Sequence, residues 1–210
     1  MSLKLVLIRH AETDWNRERR YQGHCDTPLS ATGRVQAEAA ARLLAGEPIE
    51  AVWSSPLRRA RETAAAIAAP LGLTVHVGEE FAEMRFGAWE GLTVEEVTAR
   101  FPALYRAWLE TPHLVSLPGA EMLDEVRARA LRGLESLRAA HEGRTICLVT
   151  HGVTSRVLIL EALGLSLDRI WSLQVSSTGI SELEFRDDWA MVHRMNTLVH
   201  LDQLGLSQAG

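Results

Sequence analysis

The stretch that decides the fold is LKLVLIRHAETDWN, residues 3–16. It begins with an apolar run from Leu3 to Ile8, which is typical of a short buried β-strand. The run ends at Arg9-His10, and the polar residues from there to residue 28 show no periodicity and are predicted to form a loop. In α/β sheets, ligands bind beyond the carboxyl ends of the strands. An arginine and a histidine at such an end therefore indicate a candidate functional site.

Outward from this strand, short apolar runs alternate with helical patterns. Ser30 is the predicted N-cap of the first long helix, and Pro56 is predicted to lie in the first turn of the second. The predicted strands cover residues 3–8, 50–53, 74–77, 146–149, 180–185 and 190–195, and the predicted helices cover 30–46, 56–69, 93–100, 102–109, 122–140 and 152–163. The last two strands are expected to form a hairpin that turns at Asp187-Asp188. The tail after Leu198 is expected to be peripheral.

This alternation predicts an α/β fold: a three-layer α/β/α sandwich whose doubly wound sheet is mostly parallel and covered on both faces. We expect residues 1–210 to form a single domain in which 92–121 are inserted as a helical lid. Three polar clusters, at 9–23, 55–59 and 150–152, each follow a predicted strand. The carboxyl ends of neighbouring parallel strands meet at one edge, so the clusters are expected to form one site.

The composition excludes several classes of protein. With 47% hydrophobic and 23% charged residues, the chain has the balance of a globular domain. A net charge of −5 argues against a nucleic-acid or anionic-membrane surface. Two cysteines, Cys25 and Cys147, fit a reducing compartment. No apolar run has the length of a membrane span or a signal-peptide core. These features predict a cytoplasmic protein.

The polar clusters suggest phosphate chemistry when they are taken together. A single strand-end histidine is more often a structural group, and a single arginine is usually solvated. Two histidines and several arginines, with amide donors at helix N-termini, form an anion site that needs no metal. A neutral imidazole can accept a phosphoryl group, and neighbouring arginines favour its neutral form. A carboxylic acid such as Glu83 can protonate the leaving oxygen.

On these residues the sequence resembles the histidine phosphatase superfamily, in its phosphoglycerate-mutase-like branch, and particularly its broad-specificity bacterial phosphatases. The matching blocks follow the family's order and spacing. They are LIRHAETDWN (7–16), ERRYQG (18–23), DTPLS (26–30), SSPLRRA (54–60), EMRFGAWEG (83–91) and VTHGV (149–153).

The resemblance implies a role for each matching position. His10 corresponds to the phosphorylated nucleophile, Glu83 to the proton donor and His151 to the second histidine. The full set comprises the catalytic residues Arg9, His10, Arg59, Glu83 and His151 and the substrate-binding residues Asn16, Gln22, Gly23 and Gly152. Arg59 is preferred to Arg58 because the family's arginine directly precedes the alanine, and on a helix Arg58 points about 100° away.

One position departs from the family pattern. Ala11 stands where the family usually has glycine. A positive φ or a very close backbone approach at this position would be strained by a β-carbon. We expect the substitution to affect the rate rather than the mechanism.

The sequence favours a metal-independent phosphomonoester hydrolase without a cofactor that acts through a phosphohistidine on a small molecule. The first alternative is a bisphosphoglycerate-dependent mutase, but the family's mutases carry Glu-Arg-His-Tyr-Gly where this chain has EMRFG (83–87), and the segment Thr111–Gly119 has no arginine. The second is a non-catalytic phospho-ligand binder, which would have no use for Glu83. A metal site at residues 10–25 matches none of the common zinc spacings.

The substrate and the oligomeric state remain open at this stage. Five apolar side chains are candidates either for a wall of the substrate pocket or for the packing of a lid: Met84, Phe86, Trp108, Leu114 and Leu117. No nucleic-acid or membrane partner is expected.

Overall fold

The computed structural model describes residues 2–202, 204 and 205. Within these residues the strands are β1 Leu3–Arg9, β2 Ala51–Ser54, β3 Val75–Val77, β4 Thr145–Thr150, β5 Ile180–Phe185 and β6 Ala190–Thr197. The α-helices of the same residues are α1 Asp14–Arg17, α2 Ala31–Leu44, α3 Arg58–Leu71, α4 Val94–Arg100, α5 Pro102–Glu110, α6 Leu123–Ala140, α7 Gly152–Leu163 and α8 Val199–Asp202. No helix in this part of the chain combines the length and apolar character needed to cross a membrane.

All six strands belong to one sheet, in the order β3-β2-β4-β1-β5-β6. The first four in this order run parallel, and β5 and β6 pair antiparallel to them as a hairpin. The predicted turn at Asp187-Asp188 is present, closed by a bond from the Arg186 N–H to the Trp189 carbonyl (2.8 Å). The predicted α/β class with a mostly parallel sheet is thus confirmed.

Alternate side chains of β1 pack into two apolar clusters, one on each face of the sheet. Leu5 and Leu7 belong to the apolar cluster that contains the buried sides of α6 and α7. Val6 and Ile8 point the other way, into a cluster that contains the apolar side of α3. A strand covered on both faces needs the nearly continuous apolar run that begins this sequence.

Three local predictions are wrong. The loop predicted after β1 contains the one-turn helix α1, which Thr13 and Asn16 stabilise as a reciprocal capping box. Helix α3 begins at Arg58 rather than at Pro56. The tail is only partly peripheral, because α8 packs against α2 and buries Leu201. Residues 203 and 206–210 lie outside the described residues.

The register of the sheet brings the polar clusters to one edge. Arg9 of β1 lies opposite Thr150 of β4, so the two histidines that follow these strands are neighbours. The His10 N–H donates to the Thr150 carbonyl (2.8 Å) and extends the ladder by one residue. On the other side of β4, Ser54 of β2 lies opposite Val149. The polar cluster 55–59, which follows β2, therefore begins at the same edge of the sheet.

Residues 92–121 contain α4 and α5, as predicted from their helical patterns. Three aromatic side chains of this segment, Phe101, Tyr105 and Trp108, surround the fully buried Trp89, with ring centroids 6.2–6.5 Å from it. The segment is therefore tied to the body of the protein through an aromatic cluster.

Candidate active site

His10 is held in a defined tautomer directly after β1. Its side chain is buried, and Nδ1 lies 2.7 Å from the Ala11 carbonyl. A carbonyl oxygen can only accept, so Nδ1 carries the proton and Nε2 keeps the lone pair. Ala11 causes no strain here, because its φ lies outside the left-handed region and its N–H donates to Thr63 Oγ1 (3.0 Å). The departure from the family glycine therefore leaves the imidazole correctly oriented.

His151 lies against His10, with 5.1 Å between the ring centroids. It is fully buried at the start of α7, and its Nε2 lies 2.6 Å from Ser55 Oγ. Ser55 also accepts the Leu57 N–H, so the β2–α3 turn fixes the hydroxyl that orients this histidine. Ser55 was not among the predicted site residues, although it falls in the predicted cluster 55–59.

Arg59 and Arg9 are anchored through backbone carbonyls. Arg59 is fully buried and donates from Nη1 to the Cys25 carbonyl (2.8 Å) and from Nη2 to the Gly23 carbonyl (2.7 Å). Arg9 donates from Nη1 to the Val175 carbonyl (2.8 Å). Arg58 is instead exposed and pairs with Glu62 (2.6 Å), as expected from its direction on the helix.

These surroundings keep both histidines neutral. The pKa of His10 is held well below its ordinary value by burial and then by the charges of Arg59 and Arg9. The pKa of His151 is lowered by burial and then by Arg59 and His10. Burial lowers the pKa of Arg59 to about 10, so its guanidinium stays charged at neutral pH. The site therefore combines a neutral imidazole with fixed positive charge.

Three buried nitrogen atoms in this group have no protein partner among the described residues: Arg9 Nε, Arg59 Nε and His151 Nδ1. A buried polar group without a partner costs free energy, on the order of 1–3 kcal/mol, more when it is charged. Such groups are rare in folded proteins and call for an explanation. Three of them in the cluster that contains His10 indicate a site that is completed by a polar ligand.

Glu83 lies at the N-terminus of α7. Its carboxylate accepts the N–H groups of Met84 (2.9 Å), Val153 (3.2 Å) and Thr154 (3.3 Å). Helix N-termini were expected to supply amide donors to an anion. At α7 the amides of Val153 and Thr154 hold the Glu83 carboxylate, which occupies the position that favours a negative charge.

The loop that carries Glu83 is fastened by Arg129 of α6. Its guanidinium donates to the carbonyls of Glu80 (2.8 Å), Ala82 (2.7 Å) and Glu83 (3.0 Å). The same guanidinium pairs with Glu121 (2.9 Å), whose other oxygen accepts the Arg85 N–H (2.8 Å). A residue distant in sequence thus sets the position of the carboxylate.

The predicted substrate-binding residues line a cavity of about 530 Å³ above the histidines. Asn16 Oδ1 accepts from Thr13, and Gln22 Oε1 accepts from Thr27 (2.6 Å), so each amide can meet a ligand through its NH₂ group. Gly23 has a φ of +48°, and a β-carbon there would come within 2.1 Å of a Glu90 oxygen. This position requires glycine.

The structure brings eight of the nine predicted site residues to the cavity, and His151 lies behind His10. The eight are Arg9, His10, Asn16, Gln22, Gly23, Arg59, Glu83 and Gly152. The lining also includes residues that were not predicted to bind substrate: Arg19, Arg20, Tyr21, Val94, Val153, Arg156 and Trp171. Arg19, Arg20 and Tyr21 fall in the predicted polar cluster 9–23, and Val153 falls in the matching block 149–153. Val94, Arg156 and Trp171 lie outside these segments and reach the cavity through tertiary packing.

Only two of the five apolar candidates, Phe86 and Trp108, line the cavity. Met84 and Leu117 are buried in the core, and Leu114 is 68% exposed. Trp108 makes an edge contact with Trp171 (4.9 Å between centroids). The wall is therefore aromatic and shares its residues with the packing of residues 92–121.

Across residues 2–202, 204 and 205, no group of three or more His, Cys, Asp or Glu side chains is arranged to hold a metal ion. A second cavity of about 550 Å³ lies away from the strand ends, and its basic residue Arg127 is paired with Glu161 (2.9 Å). His113, which also lines that cavity, has a buried Nδ1 without a protein partner among the described residues, whereas the strand-end site groups three such nitrogens, two of them on arginines.

Comparison with known proteins gives consistent results. The family profile of the histidine phosphatase superfamily (branch 1) matches residues 5–198. Phosphoserine phosphatase 1 of Hydrogenobacter thermophilus is 35% identical over 201 residues, which cover 96% of this chain and 95% of the relative. The structure of Bacillus stearothermophilus YhfR superposes with a TM-score of 0.90 at 32% identity, covering 95% of this chain and 99% of that one. A phosphoserine phosphatase mutant of Entamoeba histolytica in complex with phosphoserine gives 0.85 at 31% identity, covering 95% and 99%.

Proposed function

Because this chain belongs to the histidine phosphatase superfamily (branch 1) and is a phosphatase of that type, we propose that it hydrolyses small phosphomonoesters through a phosphohistidine. The observation that carries the proposal is the group of three buried, unpartnered nitrogens, two of them on arginines, in the cluster that contains the neutral His10. A phosphoryl group offers several acceptor oxygens and the phosphorus that Nε2 would attack. Relatives named for phosphoserine support a small phosphorylated substrate.

The reaction proceeds in two displacements. His10 Nε2 attacks phosphorus, a P–N bond forms, and the P–O bond to the leaving group breaks. Arg9, Arg59 and His151 stabilise the charge on the phosphoryl oxygens during the transfer. Glu83 gives a proton to the leaving oxygen. It then takes a proton from water, which attacks phosphorus and breaks the P–N bond, so that inorganic phosphate leaves and free His10 returns.

In this scheme no metal or cofactor takes part, since arginines and histidines supply the positive charge and the hydrogen bonds. We also propose that residues 92–121 act as a lid of a single domain, because Trp108 both lines the cavity and packs on the core. Cys25 and Cys147 are free thiols, which supports a reducing location such as the cytoplasm.

Hydrolysis is preferred to the two alternatives for specific reasons. A mutase must retain the phosphoryl group and hold a second phosphate, and its activity would depend on a bisphosphoglycerate primer. A non-catalytic binder would need the arginines but not a carboxylate held by three amides beside the nucleophile.

The test uses the purified chain, p-nitrophenyl phosphate and EDTA. We expect phosphate release that resists the chelator and falls at least about 10³-fold in His10→Ala, since covalent catalysis is then lost. His193→Ala, on β6, is the matched control and should retain normal turnover. Rapid denaturation should trap a phosphoenzyme that acid destroys and alkali spares, and that His10→Ala does not form.

Three results would contradict the proposal: loss of turnover in EDTA that added metal restores, a near-normal rate in His10→Ala, or phosphate binding without turnover of any ester. Activity that requires a bisphosphoglycerate primer would favour the mutase.

A further inference from the structure

Glu90 is a carboxylate that holds two loops of the site at once. Its Oε1 accepts the N–H of Phe86 (2.9 Å), on the loop that carries Glu83. The same oxygen accepts the N–H of His24 (3.2 Å), on the α1–α2 loop, residues 18–30. Its Oε2 accepts from the thiol of Cys25 (3.7 Å), on the α1–α2 loop as well. Burial and then the charge of Glu90 raise the pKa of this thiol, so the thiol keeps the proton that it donates.

On the α1–α2 loop, Glu90 holds the segment that anchors Arg59. The carbonyls of Gly23 and Cys25 accept from Arg59 Nη2 (2.7 Å) and Nη1 (2.8 Å), and His24 lies between them in the chain. A β-carbon at Gly23 would come within 2.1 Å of Glu90 Oε1, so the carboxylate packs directly against the backbone of this turn. Loss of the carboxylate would therefore release the backbone that positions the Arg59 guanidinium.

On the other loop, Glu90 holds the backbone close to Glu83. Phe86, whose N–H it accepts, lies three residues after Glu83 and lines the cavity. A second contact joins the two loops, because His24 Nε2 donates to the Glu83 carbonyl (2.8 Å). Since a carbonyl can only accept, this nitrogen carries the proton. The loops thus meet along Glu90 and His24, and a displacement of one loop would be transmitted to the other.

Arg129 differs from Glu90 in the segments that it joins. Its bonds go to carbonyls of the loop that carries Glu83 and to Glu121, and among the described residues none goes to the α1–α2 loop. A substitution of Arg129 should therefore disturb only the proposed acid. A substitution of Glu90 should disturb the acid and Arg59 together.

We infer that Glu90 is a positioning residue that aligns two proposed catalytic groups with each other, Arg59 on the phosphoryl side and Glu83 on the leaving-group side. The inference rests on the proposed phosphatase function. Glu90 is not among the residues that line the cavity, so it acts through the backbone of the two loops. A carboxylate suits this task because its two oxygens accept several hydrogen bonds from separate segments, and bonds to a charged acceptor are the stronger ones.

Glu90→Met tests the inference, because methionine has a similar length and no oxygen acceptor. Displacement of Arg59 should raise the competitive Ki of inorganic phosphate by about 5–10-fold, since small displacements of such groups are costly. Displacement of both groups should lower kcat/KM by about 10-fold for p-nitrophenyl phosphate and about 10²-fold for an alkyl phosphate, which also needs the proton from Glu83. Arg129→Met should leave the Ki of phosphate within about twofold of the wild type.

Two conservative variants and a control accompany it. Glu90→Gln keeps an oxygen for the N–H groups of Phe86 and His24 and should recover most of both losses. Glu90→Asp keeps the charge but is one methylene shorter, so it should change both readouts in the direction of Glu90→Met. Glu90→Asp decides the test if Glu90→Met does not fold. Glu38→Met removes an exposed carboxylate on α2 and should match the wild type.

A purely structural role for Glu90 would give a different result. Lower stability reduces the folded fraction, so the rate would fall equally on both esters and the Ki of phosphate would not change. That result would overturn the inference and leave the proposed function standing. A change in the Ki alone, or in the ratio of the two esters alone, would overturn it too, because Glu90 would then act on only one group. A wild type inactive on every ester would refute the proposed function itself.

Discussion

The sheet positions His10 and His151, which together form what we call the floor of the site. Glu83 instead lies on a loop that side chains hold in place. His10 and His151 each follow a strand directly, and the parallel pairing of β1 with β4 makes them neighbours. Glu83 follows no strand directly. Its loop is fixed by Arg129 and its carboxylate by the amides of α7.

This difference separates two kinds of sensitivity. Backbone ladders place the floor, so a substitution there removes a chemical group without moving its neighbours. Arg129 of α6 fixes the loop of the proposed acid, so a distant substitution can displace Glu83 while the proposed nucleophile stays intact. In the proposed mechanism, phosphoryl transfer to His10 and protonation of the leaving group should therefore respond to different variants. The leaving group of the substrate distinguishes the two steps, because an aryl oxide leaves without help and an alkoxide needs the proton.

The largest separation is expected for Glu83→Gln. Glutamine keeps an acceptor for the α7 amides but supplies no proton. We expect kcat/KM to fall by about 10²–10³-fold for alkyl phosphates and by less than about tenfold for p-nitrophenyl phosphate. Steady-state kinetics on both substrates measure the two losses. Glu80→Gln, an exposed carboxylate on the same loop, is the control and should match the wild type. Equal losses on both substrates would contradict the role of Glu83 as the acid.

An intermediate effect is expected for Arg129→Met, which removes the bonds to three loop carbonyls. The loop should loosen, and we expect a loss of about 10–30-fold on alkyl phosphates and a clearly smaller one on p-nitrophenyl phosphate, since small displacements of a catalytic group are costly. The pattern should resemble that of Glu83→Gln in a weaker form. Arg129→Lys should recover part of the loss.

Arg127→Met is the matched control for Arg129, because it lies two residues away on α6 and pairs with Glu161 at the surface. Urea unfolding of each variant separates loss of stability from loss of position. A variant at position 129 that is folded and loses activity equally on both substrates would show that the arginine supports the whole domain and not the acid.

The same contrast explains what the sequence predicts. Strand β1 is mostly apolar because both faces of the sheet are covered there by apolar clusters. The change to polar residues at Arg9-His10 therefore marks the edge of the sheet. The meeting of His10 with His151 follows from parallel pairing alone, so pattern and resemblance place both. Helix α1 escaped prediction because its stability comes from one capping box rather than from a periodic stripe.

The position of Glu83 and the aromatic wall of the cavity depend on tertiary contacts that no local sequence pattern contains. The resemblance identifies Glu83, but the arginine that positions its loop lies 46 residues further along the chain. Arg156 and Trp171 reach the cavity only because α7 and the segment after it pack against each other. Met84 and Leu117, which pattern alone made candidates for the wall, instead fill the core.

The smallest effect concerns pH and tests the floor alone. Because the pKa of His10 is held well below its ordinary value by burial, Arg59 and Arg9, we expect this proposed nucleophile to stay neutral in mildly acidic solution. An imidazole with the ordinary pKa of about 6.5 would lose about tenfold in neutral fraction at pH 5.5. We expect kcat/KM for p-nitrophenyl phosphate, corrected for ionisation of the substrate, to lose clearly less than that.

The free energy of unfolding should depend on pH in the opposite direction from that of a protein with an ion-paired histidine, whose stability increases as the pH falls. Below pH 6.5 the unfolded chain takes up protons that folded His10 and His151 refuse, so the free energy of unfolding should decrease as the pH falls. In His10→Ala one of these groups is absent, and urea unfolding should show a shallower decrease between pH 7.5 and 5.5. An unchanged slope, together with a tenfold loss of wild-type kcat/KM at pH 5.5, would mean that the floor does not hold a neutral imidazole.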